Sequence, residues 1–324
     1  MPRIITCLLS LLILPLVAHA QWELAGPRVD SPRFQQPTFT RVWPIPPDIS
    51  ARAAVVMDAK TGKMLFARNP HRALSPASTT KALTALLLLE NLDLNAKVAV
   101  SHNATQVVPS KLGLHPGEWL YVQDLLYGLM LKSGNDAALV AAEAVGGSVS
   151  GFAALMNRRA RELGALHSRF RNPHGLTQDG HVSTAHDLAQ IFRHALNDAV
   201  FAEVVQTRNA ALRVEWGIGA DDWRLLRVHN SNRLLENYAG ARGGKTGYTR
   251  RARLCFVGAA QRGDTRLVVT VLGSRSSAQR WADVQNLLEY GFNLRGQPRL
   301  RPASPGAEPA ALEVVGIGDT PEDR

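Results

Sequence analysis

Short strand-like apolar runs lie near both ends of the chain, and longer apolar runs fill its middle. The runs Ala54–Asp58 and Met64–Ala67 flank a turn at Thr61-Gly62 and predict a β-hairpin. Two further runs, Leu254–Ala260 and Leu267–Gly273, flank a turn that contains glycine and predict a second hairpin. Strands predicted near both ends of the sequence therefore flank the middle part of the chain.

The pattern in the middle, from Ser78 to about Val205, predicts mainly helices, and a last helix is expected over about Ala278–Phe292. Terminal strands around a helical insertion give the fold class α/β, with an antiparallel sheet flanked by helices plus a helical lobe. Residues 48–294 are accordingly expected to form one domain, which is long enough to bury a substantial core.

Both termini differ from this central unit. Residues 1–20 combine a basic start, an apolar run from Ile4 to Val17 and an Ala-x-Ala site, which is typical of a cleaved secretory signal peptide. An uncleaved anchor helix is the alternative, but the apolar run is short for a membrane span. Residues 21–47 are rich in proline and polar residues and predict an extended arm. Residues 295–324 have little periodicity and predict a disordered tail.

The composition is that of a basic globular protein. Of 324 residues, 45% are hydrophobic and 20% are charged, and the formal net charge is +10. An exported basic protein is attracted to anionic envelope polymers and membrane surfaces. Nucleic acid is not an expected partner, because aromatic residues make up only 6% and no nucleic-acid-binding motif is present.

Three short segments, in this order along the chain, carry the candidate chemistry: Ser78-Thr79-Thr80-Lys81, Ser133-Gly134-Asn135 and Lys245-Thr246-Gly247. An S-x-x-K spacing places a hydroxyl and an amine on the same face of a helix. Such an amine can deprotonate the serine hydroxyl, which makes it a nucleophile. The other two segments add a second hydroxyl, an amide and a second cation. This trio occurs in class A β-lactamases and penicillin-binding proteins.

The local context of each segment agrees with such a site. Ser78 follows a proline and precedes the apolar run Ala82–Leu89, which predicts a buried helix with Ser78 in its first turn, near unpaired backbone N–H groups. The second segment lies between the apolar run Leu125–Leu131 and the Ala-rich run Ala137–Val145, where side chains can project into a cleft. The third follows Gly243-Gly244 and predicts a strand that a ligand can approach closely.

From about Ala53 to about Leu294 the chain resembles the low-molecular-mass penicillin-binding proteins, the serine-type D-alanyl-D-alanine carboxypeptidases. Leu74–Lys81 resembles the nucleophile segment of that family nearly letter for letter. Asp58–Lys63 is similar to its first hairpin, and Asn172–Leu176 and Asn230–Leu235 also resemble family segments. The resemblance implies the β-lactamase/transpeptidase-like fold, with a cleft between its lobes.

The resemblance also implies a biological setting. The substrates would be peptidoglycan stem peptides, from which the enzyme removes the terminal D-alanine, and β-lactam antibiotics would be covalent inhibitors. The location would be the bacterial periplasm or cell envelope, after export. Many family members carry a second, β-rich domain and a C-terminal amphipathic helix, and the tail after Gly296 is too short for that domain. We therefore expect no integral membrane anchor after signal cleavage.

Roles at the reacting bond are implied by the same resemblance. Ser78 would attack the carbonyl between two D-alanines, and Lys81 would accept its proton as the general base. Ser133 would bridge Lys81 and Lys245 and relay the proton to the leaving amine. Asn135 would hold the peptide amide of the substrate, and Lys245 would supply fixed positive charge.

Substrate-binding roles are implied in the same way. Thr246 and Gly247 would bind the substrate, with the Thr246 hydroxyl on its terminal carboxylate. The backbone N–H groups of Ser78 and Tyr248 would form the oxyanion hole. Arg280 matches a family arginine that faces the substrate carboxylate.

Several alternatives remain open from the sequence. Arg275 lies close to Arg280 and competes for the same assignment, and Arg280 is equally well explained as a surface helix charge. Some single-domain relatives are D,D-endopeptidases that cut peptidoglycan crosslinks. A class A β-lactamase needs a Glu-x-x-Leu-Asn pattern, and Glu162-Leu163-Gly164 lacks it. A non-catalytic peptidoglycan-binding protein is disfavoured by the intact trio.

No cofactor and no metal are expected. His174, His181 and His186 suggest a zinc site, but no H-E-x-x-H motif is present and their spacing fits no structural zinc site.

Overall fold

Strands from the two ends of the chain pair into a five-stranded antiparallel sheet in a computed structural model that describes residues 44–217 and 222–297. The strands are β1 (Ala53–Asp58), β2 (Met64–Arg68), β3 (Lys97–Ala99), β4 (Glu118–Tyr121), β5 (Asn209–Trp216), β6 (Trp223–His229), β7 (Ala241–Thr249), β8 (Arg253–Arg262) and β9 (Thr265–Ser274). The large sheet has the order β2-β1-β9-β8-β7, so β7 is an edge strand. Its register sets Val56 opposite Val269 and Lys245 opposite Val257.

The middle of the described chain is mainly helical, as predicted. The helices are α1 (Lys81–Asn91), α2 (His102–Thr105), α3 (Val122–Tyr127), α4 (Asn135–Gly146), α5 (Val149–Glu162), α6 (Ala185–Ala195), α7 (Ala199–Gln206), α8 (Leu234–Asn237) and α9 (Ser277–Leu294). A 3₁₀ turn, Ala77–Thr80, leads into α1, and a π-helical turn, Gly128–Lys132, follows α3.

The large sheet separates two apolar cores because strand side chains alternate between its faces. Val55 and Met57 of β1 join a core shared with the helical lobe. Val56 joins a second core, which α9 covers with apolar residues at helical spacing, including Val284 and Leu288. The 3₁₀ turn Ala77–Thr80 contacts β7 and β8 of the large sheet and leads into α1, so it lies at the boundary between the sheet and the helical lobe.

A second antiparallel sheet, of order β3-β4-β5-β6, was not predicted from the sequence. Its first two strands contain three and four residues, which is too short for an alternating pattern to be recognised. In β5 and β6 the exposed positions include the apolar side chains of Trp216, Trp223 and Leu225, so no clean alternation of apolar and polar residues marks these strands. The sheet packs beside the helical lobe, where Leu212 and Val214 join the larger core.

The predicted boundaries of the other elements agree with the structure to within a few residues. The predicted signal peptide (1–20), most of the arm (21–47) and the tail beyond residue 297 lie outside the described residues. Within the described ranges, no single helix is both long and apolar enough to cross a membrane. Helices α4 and α5 pass that test only as a pair bent by 81°.

Candidate active site

Ser78 lies in the 3₁₀ turn rather than in the first turn of an α-helix. Ala77, just before it, has φ +51°, a left-handed conformation that turns the chain sharply. The Thr79 hydroxyl donates to the Pro76 carbonyl at 2.7 Å and fixes the turn from inside. Thr79 and Thr80 are buried, whereas Ser78 is partly exposed and faces the cleft. The buried threonines thus hold the turn in place while the serine hydroxyl stays accessible.

Two glycines allow neighbouring segments to close on this turn. Gly175 has φ +85°, and a Cβ at this position would lie 1.9 Å from the Ala77 carbonyl oxygen. A Cβ at Gly247 would lie 3.0 Å from the backbone nitrogen of Ser78. Strand β7 and the loop that contains Gly175 therefore touch the backbone around the serine.

Lys81 is fully buried beneath Ser78, and its Nζ has three oxygen neighbours. These are Ser78 Oγ at 3.2 Å, Asn135 Oδ1 at 2.7 Å and the His174 carbonyl at 2.9 Å. Burial, followed by repulsion from the Lys245 ammonium, holds the pKa of Lys81 well below its usual value of 10.5. Attraction to the Asp136 carboxylate raises this pKa and only partly offsets the fall.

The second motif joins the π-helical turn to α4. Ser133 ends that turn with φ 68°, in the left-handed region, and lines the cleft. Asn135 begins α4, and its Nδ2 donates to the Val108 carbonyl at 2.9 Å while its Oδ1 accepts from Lys81. Within the described residues the structure records no hydrogen bond from the Ser133 hydroxyl, so the predicted bridge between Lys81 and Lys245 stays a prediction.

The third motif contributes a buried cation and a hydroxyl. Lys245 is 1% exposed, and burial, followed by repulsion from Arg280, lowers its pKa to about 7. The hydroxyls of Thr246 and Ser231 are hydrogen-bonded at 2.7 Å. Tyr248 is largely exposed at the rim.

Arg280 completes the cationic side of the site. It lies in the first turn of α9, is 7% exposed and lines the cleft. Burial lowers its pKa to about 10, so the guanidinium remains charged at neutral pH. Arg275 is exposed and does not line the cleft. Of the two arginines left open by the sequence, the structure brings only Arg280 to the motifs.

The three motifs meet in one cleft of about 370 Å³. Its walls come from all three motifs, from two loops and from α9: Ser78, Pro109, Ser110, Lys132, Ser133, Asn135, Gly175, Leu176, Ser231, Thr246, Gly247, Tyr248, Thr249 and Arg280. Lys81 and Lys245 lie buried next to this wall. The described lining contains cations, hydroxyls and backbone amides but no carboxylate, so the cleft suits an anionic ligand.

Sequence reasoning missed Asp136, which supports the site from below. It is fully buried, and its carboxylate accepts backbone N–H groups of Leu112, Gly113 and Leu114. These hydrogen bonds fix the position of the carboxylate below the cleft. The Asp136 carboxylate attracts the charged form of Lys81 and so raises the pKa of Lys81. Its position directly after Asn135 was the signal available in the sequence.

Two histidines outside the motifs fix the loop that passes over Lys81. Burial lowers the pKa of His181 to about 4, and its Nδ1 accepts from the Arg171 N–H at 3.0 Å. Its other nitrogen lies 3.1 Å from the Thr80 hydroxyl. Burial, helped by Lys81, lowers the pKa of His174 to about 3, and its Nδ1 accepts from Leu176 N–H. Both rings are neutral and structural.

Comparison with known proteins agrees with this geometry. The family model described as D-alanyl-D-alanine carboxypeptidase, peptidase family S11, matches residues 40–276. The Mycobacterium tuberculosis D-alanyl-D-alanine carboxypeptidase DacB2 is 40% identical over 78% of this chain and 85% of its own length. DacF of Bacillus subtilis is 36% identical over 75% of this chain, which spans only 62% of that relative.

Solved structures give the same relationship. The DD-transpeptidase of Streptomyces K15 superposes with a TM-score of 0.74 at 34% identity, covering 77% of this chain and 100% of that chain. A Mycobacterium tuberculosis D-alanyl-D-alanine carboxypeptidase superposes with a TM-score of 0.72 at 37% identity, covering 79% and 96%. The predicted fold and family are confirmed, and the chain belongs to the S11 family of serine D-alanyl-D-alanine carboxypeptidases.

Proposed function

We propose that this protein is a serine D,D-carboxypeptidase that removes the terminal D-alanine from peptidoglycan stem peptides through an acyl-enzyme on Ser78. The observation that carries the proposal is the hydrogen-bonding position of Lys81 next to Ser78. Membership of the family leaves two parts of the proposal to be argued: which residues take part in the reaction, and which end of the substrate the cleft recognises.

The surroundings of Lys81 suit a general base. A neutral amine has two N–H donors and one lone pair. Asn135 Oδ1 and the His174 carbonyl take the two donors, at 2.7 and 2.9 Å. The third neighbour is Ser78 Oγ at 3.2 Å, so the lone pair is directed at the hydroxyl that must lose its proton. The lowered pKa of Lys81 favours the neutral form of this amine, which is the form that can accept a proton.

The remaining motif residues are assigned by what they touch. Ser133 lines the cleft, and we assign its hydroxyl to the proton relay. The backbone N–H groups of Ser78 and Tyr248 serve as the oxyanion hole, because Gly247 lets β7 approach Ser78 closely. Both ends of the Asn135 amide are hydrogen-bonded, to Lys81 and to the Val108 carbonyl, so we assign it to orienting Lys81 as well as to substrate binding.

The charge of the cleft supports recognition of a free carboxylate. Arg280, Lys245 and Thr246 would bind the terminal carboxylate of the substrate, and a carboxypeptidase requires such a group. A class A β-lactamase needs a carboxylate beside the nucleophile to activate deacylating water, and the described cleft lining has none. We therefore expect β-lactams to acylate Ser78 and to leave slowly.

The setting follows from the family chemistry. Peptidoglycan peptides lie outside the cytoplasm, and β-lactams bind enzymes of this family covalently. We propose that residues 1–20 direct export to the periplasm or cell envelope and are then removed, which leaves no integral membrane anchor. Salt-resistant retention of the processed protein in membranes would contradict this.

The decisive experiment supplies purified protein with a pentapeptide muropeptide and, separately, with a crosslinked dimer. Mass spectrometry is expected to show free D-alanine from the pentapeptide and intact dimers. Cleaved dimers with intact pentapeptides would identify a D,D-endopeptidase instead. Transfer of the acyl group to an added amino acid, with little free acid, would indicate a transpeptidase.

A matched pair of arginine variants tests the carboxylate site. Arg280→Ala is expected to slow D-alanine release by roughly 30-fold or more, since truncating one partner of a buried charge pair costs about 2 kcal/mol or more. Arg275→Ala is the control, because this arginine is exposed nearby and does not line the cleft. Equal rates of D-alanine release for both variants would show that Arg280 does not take part in substrate binding.

A further inference from the structure

Away from the catalytic cleft, the structure gathers three histidines around one buried aspartate. His71 lies between β2 and the 3₁₀ turn Ala77–Thr80, called the nucleophile turn from here on. His167 follows α5, and His186 and Asp187 lie in the first turn of α6. The rings of His71 and His167 have centroids 5.0 Å apart, and those of His71 and His186 are 4.8 Å apart. Three separate chain segments thus bring imidazoles to one point.

The donor atoms converge on a single oxygen. Asp187 Oδ1 lies 3.2 Å from His186 Nδ1 and 3.9 Å from His167 Nδ1. Ligand atoms of His71, His186 and Asp187 all lie within 4.8 Å of one another. A tetrahedral zinc site with arms of about 2.05 Å has ligand atoms about 3.4 Å apart. The cluster is therefore wider than a zinc-bound one, and its exposed members, His71 and His167, are the side chains that would have to rotate inward on metal binding.

The aspartate is oriented by its surroundings rather than by solvent. Its side chain is fully buried, and its Oδ2 accepts from the His167 N–H and the Ser168 hydroxyl, each at 2.8 Å. Its own N–H donates to Thr184 Oγ1, the N-cap of α6. With Oδ2 occupied, Oδ1 is the oxygen turned toward the imidazoles. Outer hydrogen bonds of this kind fix metal-ligating carboxylates.

We infer that His71, His186 and Asp187, with His167 as the fourth ligand, form a binding site for one divalent transition-metal ion, best suited to Zn²⁺. Imidazole nitrogen and carboxylate oxygen are ligands that zinc prefers in four-coordinate sites. The N-terminus of α6 disfavours a cation, and the Asp187 charge offsets this. This site goes beyond the proposed peptidase chemistry and departs from the expectation that no metal is bound.

The proposed metal site lies where the segment before Ser78 is hydrogen-bonded to the start of α6. Leu74, a few residues after His71, pairs with Ser183, just before α6. The His186 N–H also donates to the Pro70 carbonyl at 3.0 Å. A metal ion would therefore fasten the segment that leads into Ser78 to α6, and stabilise the folded state in proportion to its occupancy.

The test uses untagged protein stripped of metal with a chelator and titrated with Zn²⁺ alone. One equivalent is expected to bind, and the Tm is expected to rise with Zn²⁺ concentration. Co²⁺ as a spectroscopic probe should give the intense visible absorption of a tetrahedral site. Cys255 does not compete for the metal, because it is fully buried.

Variants locate the site. Loss of a residue that only hydrogen-bonds to a metal ligand weakens metal binding roughly 10- to 100-fold. His71→Ala and His186→Ala each remove a ligand itself, so each is expected to weaken Zn²⁺ binding by more than this. His102→Ala, an exposed histidine elsewhere, is the control and should bind like the unmodified protein. Labelling by a fluorescent penicillin verifies that each variant is folded. Absence of saturable Zn²⁺ binding, or binding unchanged in folded His71→Ala and His186→Ala, would overturn the inference.

Discussion

Replacing Lys245 by methionine is expected to make the protein more stable and less active. Lys245 is 1% exposed, and within the described residues its Nζ makes one recorded hydrogen bond, to the Thr246 carbonyl at 3.3 Å. An ammonium has three donors, so the folded state holds a poorly solvated charge. Methionine has a similar length and fills the same space without a charge.

The pKa of Lys245 gives the size of the effect. The fall from 10.5 to about 7 corresponds to roughly 5 kcal/mol of unfavourable free energy for the charged form, as an upper limit. Below about pH 7 both folded and unfolded chains carry the proton, so the destabilisation is complete. Between about pH 7 and 10.5 the folded chain loses the proton first, and stability rises with pH.

Thermal unfolding across this pH range provides the assay. Lys245→Met should raise the Tm most below about pH 7, by a few degrees for each kcal/mol, and the gain should shrink toward pH 10.5. Lys132→Met is the matched control, because Lys132 lines the same cleft but is exposed. A folded Lys245→Met protein with an unchanged or lower Tm below pH 7 would refute the reasoning.

The same variant reports on Lys81. Repulsion from Lys245 is one cause of the low pKa of Lys81, so its removal should raise that pKa. Acylation by penicillin is then expected to shift to higher pH in Lys245→Met, in addition to any loss of substrate binding. The pH profile of acylation, measured by stopped labelling reactions, separates the two effects.

Three further predictions concern the nucleophile and its support. Ser78→Ala should show no β-lactam adduct by intact-mass spectrometry, whereas the unmodified protein should show one. Lys81→Arg should acylate slower by orders of magnitude while remaining folded, because a guanidinium stays protonated and offers no base. Gly175→Ala should lose most acylation and unfold at lower temperature, because its Cβ would overlap the Ala77 carbonyl at 1.9 Å and φ is +85°.

Each of these has a clear contrary result. A persistent adduct in Ser78→Ala would move the nucleophile to another residue. Near-normal acylation of Lys81→Arg would mean that another group takes the proton. For Gly175→Ala, Gly164→Ala is a suitable control, since Gly164 also has positive φ but nothing lies within 4 Å of its Cβ position. Equal losses in both glycine variants would indicate backbone strain rather than contact with the nucleophile turn.

The sequence predicted those parts of the fold and site that depend on local pattern. The two outer hairpins and α9 follow from apolar periodicity, and the motifs identified the residues that share the cleft. The contacts that tune Lys81 were not predictable, because the His174 carbonyl and the Asp136 carboxylate reach it only through tertiary packing. The sequence could not decide which of Arg280 and Arg275 lies in the cleft. The two residues are close in sequence, but only the fold shows that Arg280 is buried at the cleft and Arg275 is exposed.

The antiparallel pairing of β1 with β9 has a consequence for when the active site assembles during synthesis and folding of the chain. Strand β7 contacts the nucleophile turn from the sheet edge, and it is held there through β8 and β9, which in turn pair with β1. Pairings between such distant segments form slowly and late. A growing chain that lacks β9 therefore contains all three motifs but no assembled centre. Reactivity toward penicillin should appear abruptly during synthesis and folding, only after the last strand has been added.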